Sequence, residues 1–127
     1  MDKAKSKKKI LVIEDDTMIC SMYKTKFEHD GFEVFSANSG MAGLEIARKE
    51  RPNLIMLDII LPQLDGFSVL EELKKDSKTK MTPVIMLTNL GTDEDKVKGE
   101  RLGAADYLVK ASLTPAQISK KIKEYLK

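Results

Sequence analysis

Cysteine, histidine and tryptophan are almost missing from this sequence, and so is any long apolar run. Cys20 is the only cysteine and His29 the only histidine among 127 residues, and there is no tryptophan. One thiol cannot close an intrachain disulfide, so a reducing compartment is expected, and the cytoplasm with it. His29 reads as a surface residue near a helix end. Cys20 and the seven methionines read as helix packing, not metal ligands. No stretch approaches the roughly 18 apolar residues of a membrane span. The lysine-rich start has no apolar signal region after it, so no membrane association is expected. Neither Gly-x-Gly-x-x-Gly nor Gly-x-x-x-x-Gly-Lys follows a strand candidate, and Gly40-Met41-Ala42-Gly43 fits neither pattern. A nucleotide- or flavin-binding enzyme is thereby disfavoured.

What remains is an ordinary soluble composition, 42% hydrophobic and 33% charged, sized for one domain with one core. The formal charge of +2 is unevenly spread. Lys3, Lys5, Lys7, Lys8 and Lys9 stand against Asp2 at the start, and without these six the body holds 17 basic and 19 acidic residues. Residues 1–8 read as a solvated basic tail and 9–127 as the folded domain. Direct nucleic-acid binding needs a basic face on the fold itself, so none is expected.

Five short apolar runs alternate with segments of helical period. Ile10-Leu11-Val12-Ile13 ends in Glu14-Asp15-Asp16, and Leu54-Ile55-Met56-Leu57 ends in Asp58. Val84-Ile85-Met86-Leu87 closes on Thr88, and Asp106-Tyr107-Leu108-Val109 on Lys110. The mixed run Phe32–Ser36 suits an edge strand. Continuous apolar runs of this length suit strands buried on both faces. Alternation of strand and helix implies a parallel sheet between two helix layers, although periodicity leaves the strand order open. Asp16, Ser39, Thr92 and Thr114 are placed to cap helices, the last as a capping box with Pro115 and Gln117. The helix after Thr92 has a weak pattern, with Val97 and Leu102 as its main apolar positions and Gly99 inside it.

In a parallel sheet the strand ends that carry Glu14, Asp15, Asp58, Thr88 and Lys110 share one edge. Open α/β sheets place their ligands at that edge. Taken singly, Asp58 is a loop carboxylate, Thr88 a strand-end hydroxyl and Lys110 a solvated lysine. Together they make a cleft in which crowded carboxylates call for a cation. Oxygen donors without His or Cys point to a hard ion such as Mg²⁺. Lysine and a threonine hydroxyl suit phosphoryl oxygens. The set reads as machinery for moving a phosphoryl group onto a carboxylate.

These residues also carry a likeness. Ile13-Glu14-Asp15-Asp16, Leu57-Asp58-Ile59-Ile60-Leu61-Pro62, Asp65-Gly66, Met86-Leu87-Thr88 and Gly103-Ala104-Ala105-Asp106-Tyr107 leading to Lys110 occur in order on the right elements. From Lys9 to Leu126 the chain resembles the receiver domain of bacterial two-component response regulators. The resemblance implies a flavodoxin-like, doubly wound five-stranded sheet of order 2-1-3-4-5, the order known for the chemotaxis receiver. It implies that Asp58 accepts a phosphoryl group from the phosphohistidine of a sensor histidine kinase or a histidine phosphotransfer protein. Asp15, Asp58 and the Ile60 carbonyl would bind Mg²⁺ directly and Glu14 through water. Thr88 and Lys110 would contact the phosphoryl oxygens. Thr88 and Tyr107 would act as the switch, Tyr107 turning inward as the loop at Leu90-Gly91 and the following helix shift. The face made with the last helix would then meet a downstream protein or effector domain. Such a domain modifies only itself and is not otherwise an enzyme. None of its output is encoded before Lys127, so it is expected to be a stand-alone regulator or part of a longer protein.

Two departures stand out. Ala111 follows Lys110 where the family usually has proline after a cis bond, so either a costly cis bond or a rearranged loop is expected. Asn89 follows Thr88 where a very small residue is usual. Ile60 and Leu90 flank the site with apolar side chains, which should disfavour a positioned attacking water. The competing reading is a pseudo-receiver that keeps the fold as a protein-interaction module and is never phosphorylated. Ala111 and Asn89 are its support.

Overall fold

The computed structural model describes residues 7–89 and 92–127. Most of the basic tail and the Leu90-Gly91 loop therefore lie outside the described residues. Five strands, β1 (Lys9–Ile13), β2 (Glu33–Ala37), β3 (Leu54–Leu57), β4 (Val84–Thr88) and β5 (Asp106–Val109), form one parallel sheet of order β2-β1-β3-β4-β5. The helices between and after them are α1 (Thr17–His29), α2 (Gly40–Glu50), α3 (Gly66–Lys75), α4 (Asp93–Arg101) and α5 (Pro115–Tyr125). This is the doubly wound order that the resemblance implies.

The apolar runs are buried on both faces, as their continuity requires. Leu11, Ile13, Ile55, Leu57, Val84 and Met86 meet Leu44 and Ala47 of α2 and Phe67, Leu70 and Leu73 of α3. The alternate residues Ile10, Val12, Leu54, Met56, Ile85 and Leu87 meet Tyr23 and Phe27 of α1 and Ile118 and Ile122 of α5. Tyr23 and Phe27 stack with ring centroids 5.8 Å apart.

Each of these five α-helices starts with a side-chain cap. Asp16, Ser39, Asp65, Thr92 and Thr114 accept from backbone N–H groups in the first turns of α1 to α5, and Thr114 with Gln117 completes the capping box. Such caps satisfy orphan N–H groups and are each worth about 1 kcal/mol. Gly31 (φ +99°) and Gly103 (φ +101°) follow α1 and α4, where a left-handed residue turns the chain away. Arg51 takes the same region (φ 48°) at the C-cap of α2, just before Pro52.

Two helices differ from their sequence pattern. Val97 is 48% exposed, and Gly99 is the only buried residue of α4. The glycine faces Tyr107 and Met86 of the sheet, and Lys98 over the Phe67 ring at 4.5 Å holds the helix to α3. A Cβ at Gly99 would meet Tyr107 Cδ2 at 3.6 Å and Met86 Cγ at 3.7 Å, ordinary contact distances. Gly99→Ala should therefore stabilise the domain by about 1 kcal/mol, through helix propensity and unfolded-chain entropy. An unchanged or lowered urea midpoint would show that α4 needs the space.

On α5, Tyr125 falls at the helical spacing of Ile118 and Ile122 yet is 40% exposed. Its hydroxyl donates to the Ala105 carbonyl (3.1 Å) and to Asp106 Oδ2 (2.9 Å). Partial burial and the Asp106 carboxylate push the phenol up to about 12. The bound form is the neutral phenol, so its stabilising share is complete below the unfolded pKa near 10 and is lost as pH rises through about 12. Phenolate absorbance at pH 11 should be lower in the folded than in the denatured chain, and Tyr125→Phe should remove part of the difference.

Candidate functional site

Strand register brings the site together. Ile13 pairs with Leu57, so Glu14 and Asp58 emerge side by side from adjacent strands, and the Asp58 N–H donates to the Ile13 carbonyl at 3.1 Å. Thr88 pairs with Val109, so Lys110 emerges one residue beyond. From β5 the lysine's four-carbon stem reaches over β4 to the tips of β3 and β1. Its Nζ donates to Asp58 Oδ2 at 2.9 Å and to Glu14 Oε1, with the Lys110 side chain only 10% exposed. One oxygen each of Glu14, Asp15 and Asp58 lie within 4.8 Å of one another. Glu14 and Asp58 are buried and Asp15 is exposed.

The other carboxylate oxygens are held too. Ile60 N–H donates to Asp58 Oδ1 (3.2 Å) and Asp16 N–H to Glu14 Oε2 (3.1 Å). Asp16 itself is the N-cap of α1, as its position suggested. Burial pushes the Glu14 carboxyl up, partly countered by Lys110 and the Asp16 amide. Burial alone would lower the Lys110 ammonium, but the Glu14 and Asp58 carboxylates outweigh it and raise it. The lysine therefore stays charged, while the cluster keeps more negative than positive groups. Three carboxylates and one ammonium, with no nitrogen or sulfur donor, fit a hard divalent cation.

These groups line a cleft of about 200 Å³ together with Thr88, Asn89, Ile60 and Ile19. Thr88 is fully buried, whereas Ile60 is 58% exposed at the rim. Ile19 enters from α1 and was not among the residues the sequence singled out for the cleft. Tyr107 is one strand over, on β5, and is 8% exposed. The Lys110–Ala111 peptide is trans, and Lys110–Ser112 forms a short 3₁₀ turn, so the missing proline is met by a rearranged loop. Lys110 still reaches both carboxylates. No signal in the sequence revealed how close α3 comes to the site. The Gly66 N–H donates to the Ile59 carbonyl at 2.8 Å, and a Cβ on Gly66 would lie 2.2 Å from the Asp58 carbonyl oxygen.

Among the described residues no helix is long and apolar enough to cross a membrane. A family model for the response regulator receiver domain matches residues 10–123. The DNA-binding dual master transcriptional regulator RpaA of Synechocystis is 43% identical over 102 residues, covering 80% of this chain and 42% of that protein. The probable transcriptional regulator ycf27 of Cyanophora paradoxa is 41% identical over 122 residues, 96% of this chain and 49% of that one. The chain thus spans about half the length of such relatives. Chemotaxis protein CheY4 of Vibrio cholerae superposes with a TM-score of 0.89 at 30% identity, over 94% of this chain and 99% of its own. A CheY-like receiver domain protein of Methanospirillum hungatei gives 0.88 at 35%, over 95% and 94%. With sheet order, acidic cluster and lysine all in register, the chain belongs to the receiver-domain family of two-component response regulators.

Proposed function

We propose that Asp58 is the phosphoacceptor, taking a phosphoryl group from the phosphohistidine of a sensor histidine kinase or a histidine phosphotransfer protein. The observation that supports this best is the Lys110 ammonium bridging Glu14 and Asp58 inside a cluster of three carboxylates. Asp15, Asp58 and the Ile60 carbonyl would hold Mg²⁺, with Glu14 acting through water. When bound, the ion offsets charge on the equatorial oxygens of the transferring group.

The chain's own residues do the rest. An Asp58 carboxylate oxygen attacks phosphorus, a P–O bond forms, and the donor's P–N bond breaks with its electron pair returning to the imidazole nitrogen. Glu14 and the Ile60 and Asp16 amides orient the acidic cluster. Lys110 exchanges its contact with Asp58 for a phosphoryl oxygen, and the Thr88 hydroxyl donates to another. Ile60 at the rim restricts water. Movement at Thr88 is passed to the Tyr107 ring, which packs beside Gly99, and so to α4 and the face that α4, β5 and α5 offer to a downstream protein or effector domain. The domain modifies only itself.

Incubation with Mg²⁺ and acetyl phosphate, read by intact mass, tests this. One added phosphoryl group is expected, absent from Asp58→Ala and absent with a chelator. No addition from any donor would favour a module that works by binding alone.

A further inference from the structure

We infer that the edge of the sheet opposite the cleft is a docking surface for the phosphodiester backbone of nucleic acid. The body's near-neutral charge had argued against a basic face, but the fold sets three basic segments side by side. Acids gather at the strand tips that carry Glu14, Asp15 and Asp58 and at Asp93-Glu94-Asp95, the start of α4. At the other end, where the strands begin, three neighbouring segments are basic. Lys7 and Lys8 lead into β1, Lys49 and Arg51 lead into β3, and Lys78 and Lys80 lead into β4.

All six are exposed, and among the described residues none has a carboxylate within 4.0 Å. Of the acids nearby, Glu50 pairs with Lys9, Asp76 with Arg48 and Glu72 with Lys75, while exposed Glu33 at the start of β2 has no ion-pair partner among the described residues. The three segments are adjacent because β1, β3 and β4 are consecutive in the sheet. Asn53 and Lys9 tie two of them directly, Lys9 N–H to Asn53 Oδ1 at 2.7 Å. The third is braced by Lys74, whose Nζ donates to the Lys80 and Thr82 carbonyls at 3.2 and 2.9 Å. Strands about 4.8 Å apart then present a row of cations running across the sheet on a rigid base.

A row of unpaired cations suits a line of phosphates, where binding comes from counterion release and needs no base contact. A bilayer would be seated by apolar side chains as well, and Met81 is the only exposed large one among these segments. The acidic cleft at the far end would face away from the polyanion and stay open to its phosphodonor.

The test is fluorescence anisotropy of a random-sequence 20-base-pair DNA duplex with the full chain. If about four phosphates are neutralised, affinity should fall roughly 100-fold between 50 and 200 mM salt. Lys78→Glu/Lys80→Glu should weaken binding at least ~10-fold and flatten the salt slope by about 2, each lost phosphate contact taking about 1 from it. The same charge change at Lys96→Glu/Lys120→Glu, on α4 and α5, should leave affinity within about 2-fold, since only the docking edge contacts phosphate. Thermal melts and acetyl phosphate labelling show that each variant is folded. Equal weakening by both pairs would overturn the inference, because net charge alone would be acting. So would loss of binding in Lys3→Glu/Lys5→Glu with no loss in Lys78→Glu/Lys80→Glu. Binding to phosphatidylserine vesicles without binding to DNA would overturn it as well.

Discussion

Lys110→Met should take up phosphoryl groups some 10²–10³-fold more slowly than the unaltered chain while binding Mg²⁺ more tightly. The two effects have one cause. The ammonium is now shared by Glu14 and Asp58 inside a mostly buried cleft, where it offsets carboxylate repulsion. Without it the same oxygens hold more unneutralised charge, so a divalent ion gains more by entering. The transferring phosphoryl group, in contrast, loses the one cationic side chain that lines this cleft among the described residues. Methionine keeps the length and apolar bulk of the stem, so packing is little changed. Titration calorimetry gives the metal affinity and intact mass the labelling rate. A rate within about tenfold of the original would mean that Lys110 is structural, since loss of a transition-state donor costs more than that.

Gly66→Ala should damage stability and labelling together. The added methyl would lie 2.2 Å from the Asp58 carbonyl oxygen, 2.7 Å from Ile59 Cα and 2.9 Å from the Asp58 carbonyl carbon. All three are backbone atoms and none can rotate away. Either α3 lifts off the sheet or the Asp58 loop is displaced. Overpacking of this kind costs about 1–3 kcal/mol or more. A 1 Å displacement of the proposed phosphoacceptor would slow its labelling by roughly 100-fold. A urea midpoint that falls with labelling unchanged would mean that α3 yields and the loop does not.

The parts of this molecule that follow local rules were legible in its sequence. Apolar runs ending in Glu14, Asp58, Thr88 or Lys110 marked four of the strands, and Ser39, Thr92 and Thr114 marked helix starts that the structure contains. The acidic tips could be collected on one edge because parallel strands leave no other arrangement. What stayed hidden depends on partners distant in sequence. Val97 looked like the buried side of α4, yet it is Gly99 that faces the sheet, a rotation set by Tyr107 and Met86, which are distant in sequence. Tyr125 had the right spacing for the core but finds Asp106 at the surface. The contact between Gly66 and the Asp58 backbone leaves no mark beyond an ordinary Asp-Gly turn. The basic edge is scattered over three segments, and a total charge near zero conceals it.

The sheet that carries the site also divides the interior into compartments with few shared neighbours. Leu70 and Leu73 lie on one side of it and Ile118 and Ile122 on the other, with a layer of backbone between. Losses of packing on opposite sides therefore sum, because neither relaxes into the void left by the other. Each half can drift in composition without a matching change across the partition. The strand tips, fixed by backbone hydrogen bonds common to both halves, stay aligned while that happens.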